Sequence, residues 1–71
     1  MKAIIHLKNS MELSCDISTM STLLVSFKIS KEDATADALN AFFSMGASLY
    51  SYTDHISISM DRDNILSVQF V

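Results

Sequence analysis

Apolar and polar residues alternate along most of the chain, with the period of a β-strand that buries one face. Two such runs, residues 3–7 and 11–17, flank the pair Asn9-Ser10. Asparagine tolerates the positive φ that a two-residue hairpin turn requires. The pattern therefore predicts an N-terminal β-hairpin over residues 2–17, with Asn9-Ser10 as its turn.

The segment 19–30 combines two periods. Val25 and Phe27 alternate with polar residues as in a strand, whereas the spacing i, i+3, i+4, i+7 from Met20 to Phe27 is that of a helical face. Threonine, valine, phenylalanine and isoleucine favour strands. We therefore predict a strand over residues 22–29, with a helix as the alternative.

One helix is expected next. Ser30 is a candidate N-cap, with Asp33 three residues later in the position of a capping box. Gly46, the only glycine, follows Met45 where a left-handed residue commonly ends a helix. These signals predict a helix of about 15 residues, about 22 Å long.

Two neighbouring apolar stripes run along this expected helix. The first stripe is formed by Ala34, Ala38, Ala41, Phe42 and Met45. The second consists of Leu39, Phe43 and Gly46. A helix on a sheet needs only one apolar face of about 100°, so Phe43 needs a further surface to bury it. We expect a subunit interface there; the alternative is a sheet that curls around the helix and covers both stripes.

Strand patterns return after the helix. Residues 49–53 and 56–60 are expected to pair through Asp54-His55, and residues 65–71 form a last strand. Three apolar residues of that strand share one face, namely Leu66, Val68 and Phe70. The chain is thus predicted to be a single α+β domain, residues 1–71, with a mainly antiparallel sheet, two terminal β-hairpins and one α-helix packed on it. The expected core includes Phe42, Met45, Leu13, Cys15, Ile58 and Val68.

The composition favours association. The chain has 71 residues, is 49% hydrophobic and carries a single cysteine. A domain of this size buries only about 60% of its unfolded surface, and small domains are commonly stabilised by disulfides, metals or oligomerisation. One cysteine and two separated histidines supply neither a disulfide nor a structural metal site, so we expect a homo-oligomer. With no signal-peptide pattern or membrane-spanning run, we expect a cytoplasmic protein without membrane partners.

Charge argues against nucleic acid as a partner. Five basic against eight acidic residues give a formal net charge of −3, and the basic residues are scattered. Because proteins that bind DNA or RNA usually present a basic patch or stripe, no duplex nucleic acid is expected.

Candidate catalytic and metal sites are weak. The polar turn 61–64 resembles the opening of a calcium loop, but Leu66 stands at the position that such a loop gives to glycine. Cys15 lies among apolar strand positions and is expected to be a buried, reduced thiol. His6 and His55 lie on the presumed polar faces of their strands and are expected to face solvent. A Ser-His-Asp arrangement around His55 would have no nucleophile elbow and no glycine-rich loop. We expect no enzyme activity, metal or cofactor.

Tyr50 and Tyr52, whose side chains combine an apolar ring with a polar hydroxyl, are the most informative residues about possible binding surfaces. Two positions apart on a strand, they project to one side, and tyrosine is enriched at protein interfaces. Sheet packing, a protein interface and a platform for stacking a base are the three interpretations. With Leu39 and Phe43, they form our set of expected contact residues.

The two ends of the sequence resemble small phage and prophage proteins of Gram-positive bacteria. The resemblance is carried by Met1-Lys2-Ala3-Ile4-Ile5-His6-Leu7-Lys8-Asn9 and by the apolar close, residues 56–58 and 61–70. It implies a hairpin–helix–hairpin protein, some of whose relatives inhibit host or defence proteins.

Three functions remain as hypotheses. The leading one is a non-enzymatic homo-oligomer that binds another protein, with a phage-encoded inhibitor or modulator of a host or defence protein as the version that the resemblance implies. The second is an oligomer that sequesters a small molecule or nucleotide, using the tyrosines with Lys8, Lys28 or Arg62. The third is a structural subunit of a larger assembly.

Overall fold

A computed structural model describes residues 1–71 and confirms the α+β architecture. In chain order the elements are β1 (Lys2–Leu7), β2 (Glu12–Met20), β3 (Leu24–Ser30), α1 (Ala36–Ser44), β4 (Ser48–Ser51), β5 (His55–Asp61), a 3₁₀ turn (Arg62–Asn64) and β6 (Ile65–Phe70). All neighbouring strands are antiparallel, in the order β4-β5-β3-β2-β1-β6. None of the helical segments is long and apolar enough to span a membrane.

The sheet is strongly curled. β5 and β6 are four interstrand steps apart in the strand order, which would be about 19 Å in a flat sheet. The connection from Asp61 to Ile65 covers at most about 14 Å. Its two ends are fixed to different parts of the sheet, because the Arg62 N–H donates to the Leu23 carbonyl (2.8 Å) and the Lys8 N–H to the Asn64 carbonyl (3.0 Å). Only a curled sheet allows so short a connection.

The first hairpin is present, but its turn differs from the expected one. The Leu7 N–H donates to the Met11 carbonyl and the Ser10 N–H donates to the Leu7 carbonyl, so the loop has three residues, Lys8 to Ser10. Ser10, rather than Asn9, takes the positive φ of 73°. The Asn9 side chain instead accepts a hydrogen bond from the Met11 N–H (3.0 Å). A three-residue loop with its last residue left-handed is a common hairpin closure.

The segment with two periods is a strand, as predicted, but it begins two residues later, at Leu24. Met20 belongs to β2, and Ser21 organises the turn between β2 and β3: its hydroxyl accepts from the Leu24 N–H (2.9 Å). Because β2 is long and its register shifts between Ile17 and Thr19, it bends as it passes from β1 to β3.

The helix is shorter than predicted. α1 has nine residues, about 14 Å, and its N-cap is Thr35, whose hydroxyl accepts from the Ala38 N–H (3.2 Å). Ser30 is the last residue of β3, and its hydroxyl bonds Asp33 in a turn that precedes the helix. Ser30 and Asp33 therefore form side-chain hydrogen bonds like those of a capping box, but these bonds stabilise a turn and do not begin the helix.

The helix ends as predicted, at Gly46. The Gly46 N–H donates to the Phe43 carbonyl (3.0 Å) and the Ala47 N–H to the Phe42 carbonyl (3.0 Å), the two bonds of a Schellman motif. Gly46 has a φ of +74°, which glycine adopts without the steric cost that a Cβ atom brings.

In the second half of the sheet, two turns differ from the sequence predictions. β4 pairs with β5, with Leu49 opposite Ile58, but the Tyr52 N–H donates to the His55 carbonyl (2.9 Å), so the turn lies at Thr53-Asp54 and His55 begins β5. In the run 61–64, Asp61 ends β5 and Arg62–Asn64 form a 3₁₀ turn that leads across to β6, which does not neighbour β5 in the sheet.

β6 joins the far edge of the sheet beside β1. Val68 and Phe70 lie opposite Ile5 and Ala3, on the side of the core. The register shifts so that Ile65, rather than Leu66, lies opposite Leu7, which leaves Leu66 as an extra, exposed residue. The expected common face therefore holds for Val68 and Phe70, while Leu66 falls in the bulge.

The core fills the inner face of the curled sheet, which we define as the face toward α1. Its largest fully buried side chains include Phe27 of β3 and Phe42 of α1, whose rings meet edge to face with centroids 6.0 Å apart. Among the expected core residues, Phe42, Cys15 and Ile58 are buried, and the remaining three pack against the core while partly exposed: Met45, Leu13 and Val68.

Candidate interaction surfaces

The two stripes of α1 have different surroundings. Ala38 and Phe42 of the first stripe are buried against the sheet. Leu39 of the second stripe is half-buried, and Phe43 is 63% exposed. The sheet does curl, as the alternative interpretation required, but it does not cover Phe43. We call Leu39 and Phe43 the helix flank.

The two tyrosines lie on and directly after β4, which is an edge strand of the sheet. Tyr50 on β4 is adjacent in sequence to Leu49, which packs against the core, so its side chain projects from the outer face. Tyr52 stacks on the His55 ring with centroids 4.7 Å apart and an interplanar angle of 17°. Both tyrosines are exposed. We call Tyr50, Tyr52 and His55 the tyrosine edge.

The expected contact residues therefore form two separate pairs. Leu39 and Phe43 belong to the helix on the inner side of the sheet, whereas Tyr50 points from the outer face. The sequence could not reveal this division, because it depends on which face of β4 is covered by α1.

His55 is held by a second neighbour. Its Nδ1 lies 2.7 Å from Asp54 Oδ1, and this hydrogen bond lowers the pKa of the Asp54 carboxyl below its ordinary value of 3.8, aided by a backbone hydrogen bond and the charge of His55. The stacked Tyr52 and the bonded Asp54 thus fix the orientation of the imidazole.

A shallow, charged depression on the outer face was missed from the sequence. It is lined by Lys2, Asp16, Lys28, Ile29, Ser30, Asp54 and His55. Asp16 lies directly between Lys2 and Lys28 in the strand registers and also accepts a hydrogen bond from the terminal amine of Met1. That bond, with the positive charge of the amine, lowers the pKa of the Asp16 carboxyl. The lysines are therefore partly neutralised.

Serines occupy much of the remaining outer face. Ser26 and Ser59 face each other on β3 and β5 with their hydroxyl oxygens 2.8 Å apart. On the inner side of β4, Lys31 donates to the hydroxyl of Ser51, which lies opposite Ile56. The serines of β3 and β5 were the available signal for this surface, since they occupy two of the outward positions of each strand: Ser26 and Ser30 on β3, Ser57 and Ser59 on β5.

The surroundings of Cys15 and His6 fit a structural role for these two residues. Cys15 is buried, and desolvation, with a smaller contribution from the Asp16 charge, raises the pKa of its thiol from 9.0 to about 11. His6 Nδ1 lies 3.7 Å from Glu12 Oε2 across the first hairpin. Nowhere do three or more histidine, cysteine, aspartate or glutamate side chains converge as metal ligands.

Comparison with known proteins adds no assignment, since no family model, curated protein or solved structure matches the chain. The helix flank, the tyrosine edge and the outer depression are the three surfaces that could bind a partner or ligand.

Proposed function

We propose that the protein is a non-enzymatic interaction module that forms a small homo-oligomer and binds another protein. The observation that carries the proposal is the exposure of Phe43 beside half-buried Leu39, on a helix whose other stripe already fills the core. Aromatic side chains of this kind are typical anchors of protein interfaces. The exposed tyrosines add contact residues on the opposite face.

The size of the core supports the same proposal. Thirteen residues are buried, all of them apolar, while ten large apolar or aromatic side chains are more than a third exposed. Single exposed apolar residues are normal on protein surfaces. Here they are numerous relative to the core, and covering them by association would add the apolar burial that a small domain lacks.

The resemblance of the chain ends to small phage proteins extends the proposal to the kind of partner. We propose a host or defence protein that the module inhibits or modulates, with the host cytoplasm as the place of action. The acidic net charge of −3 favours a partner surface that is not itself strongly acidic.

The test compares Phe43→Ser with Leu23→Ser. Leu23 is also exposed but lies in the β2–β3 turn and not on α1, so both variants remove one exposed apolar side chain. Partner capture from a host lysate and sedimentation velocity are measured for both. We expect Phe43→Ser to lose a stoichiometric partner or the self-association, while Leu23→Ser retains both. Equal behaviour of the two variants would refute the role of the helix flank.

A second function is favoured by the outer depression. Lys2 and Lys28 border it, and the Tyr52–His55 stack lies next to it, so a small anionic aromatic ligand such as a nucleotide would find charge and a stacking surface together. Binding to the native state raises the melting temperature. A nucleotide that raises it in the wild type but not in Lys28→Gln would support this function over the first.

A further inference from the structure

We propose that two copies of the chain associate by antiparallel pairing of their β6 strands, which makes one continuous sheet across a two-fold axis. The inference rests on the proposed self-association and specifies the surface that performs it. It depends on backbone groups of β6 and not on the helix flank, so the two can be tested separately.

The outer side of β6 carries unused backbone hydrogen-bonding groups. The Val71 N–H donates to the Lys2 carbonyl (3.2 Å), and Phe70 and Val68 lie opposite Ala3 and Ile5. Bonded and non-bonded pairs alternate in an antiparallel ladder. The N–H and C=O groups of Val68 and Phe70 therefore point away from β1, where β6 has no neighbouring strand.

This edge lacks most of the features that normally prevent pairing. Proteins protect exposed edges with charges, prolines, very short strands or β-bulges, and the bulge of β6 is confined to Leu66 near the start of the strand. The segment 65–71 contains no charged residue and no proline, and Leu66 and Phe70 are 65% and 52% exposed. The opposite edge, β4, has only four residues, and Lys31 bonds to its last residue, Ser51. β6 is therefore the edge that is open to pairing.

A second copy fits this edge better than an unrelated strand. In a two-fold arrangement each residue near the axis meets the same or a neighbouring residue of the other copy, so charges of a single sign on β6 would repel their own copies. Their absence removes that cost. A register centred on Val68 uses the whole strand: Val68 meets its own copy and exchanges two hydrogen bonds, and Phe70 lies opposite position 66 of the second copy.

The same register makes a charge test possible. Ser67 and Gln69 are exposed, and with Val68 on the axis, position 67 lies opposite position 69 of the other copy, twice per dimer. S67K/Q69K places like charges opposite each other, whereas S67K/Q69E places opposite charges there. Directly opposed charges change pairing energies substantially, so we expect the dissociation constant of S67K/Q69K to exceed that of S67K/Q69E by about ten-fold or more in sedimentation experiments at low salt.

Amide hydrogen exchange by NMR provides the independent readout on the wild type. The amides of Val68 and Phe70 have no acceptor within the chain, so slow exchange that strengthens with protein concentration requires an intermolecular bond. We expect this protection for both. Fast exchange of the two amides in associated protein would overturn the β6 pairing while leaving the helix flank as the contact. A chain that is monomeric at every concentration would overturn the β6 pairing and the homo-oligomer but not the binding of another protein. Open-ended growth would indicate β6 pairing with β4 and would overturn the two-fold dimer.

Discussion

The replacement of Gly46 by alanine isolates the energetic cost of one backbone conformation. Gly46 ends α1 with a φ of +74°, and a Cβ atom built on it meets no other atom within 4 Å. Alanine therefore introduces no collision with the rest of the protein. The backbone N–H of Gly46 still donates to the Phe43 carbonyl (3.0 Å), so the Schellman motif keeps its bonds and only the intrinsic strain changes.

The magnitude follows from two opposing contributions. A left-handed conformation costs a residue with a Cβ atom about 1–2 kcal/mol. Alanine also restricts the unfolded chain, which returns about 0.4–1 kcal/mol. We expect Gly46→Ala to reduce the free energy of unfolding by about 1 kcal/mol, which lowers the melting temperature of a domain of this size by about 4–8 °C.

Two further variants separate backbone strain at positive φ from other causes of a change in stability. Asparagine adopts left-handed conformations more readily than alanine, so Gly46→Asn should cost less, although it adds a larger side chain. Ser10 has nearly the same φ, 73°, but is not glycine, so Ser10→Gly should raise the melting temperature. The assay is thermal unfolding followed by circular dichroism. Equal losses for the two Gly46 variants, or destabilisation by Ser10→Gly, would refute the reasoning from φ.

Three more predictions follow from burial and hydrogen bonding. Phe42→Ala should cost about 3–5 kcal/mol in urea unfolding because it empties the core, whereas Phe43→Ala should stay within about 0.5 kcal/mol; equal costs would contradict the difference in burial. Cys15, whose thiol pKa is raised to about 11, should react with iodoacetamide only slowly until urea unfolds the chain, and rapid labelling of native protein would contradict its burial. The lowered pKa of Asp54 adds stability above about pH 4 that disappears as pH falls through the folded-state pKa, so Asp54→Asn should be less stable than wild type near pH 6, and the difference should shrink as the pH is lowered below about 4.

Local signals in the sequence predicted most of the elements. Alternation identified the strands, and Gly46 marked the helix end because one residue alone can supply that left-handed conformation cheaply. The start of the helix was misplaced because Ser30 and Asp33 form the same side-chain bonds in a turn as in a capping box. Thr35, the actual N-cap, offered the same hydroxyl chemistry five residues later.

Long-range arrangement was beyond the sequence patterns. The pairing of β6 with β1 depends on the curl of the whole sheet, and no local period encodes it. For the same reason, Phe43 and Tyr50 were grouped as one contact set although the structure separates them by a sheet. The exposure of Phe43, in contrast, followed from counting apolar positions on a single helix, since one sheet needs only one helical face.

Sedimentation equilibrium of the unmodified protein, from low micromolar to near-millimolar concentration, tests most directly whether the chain associates through its surplus apolar surface. The account predicts a reversible rise to a small closed oligomer, weakened by S67K/Q69K but not by Leu23→Ser. A single species of monomer mass across the whole range, together with no stoichiometric protein partner, would contradict it.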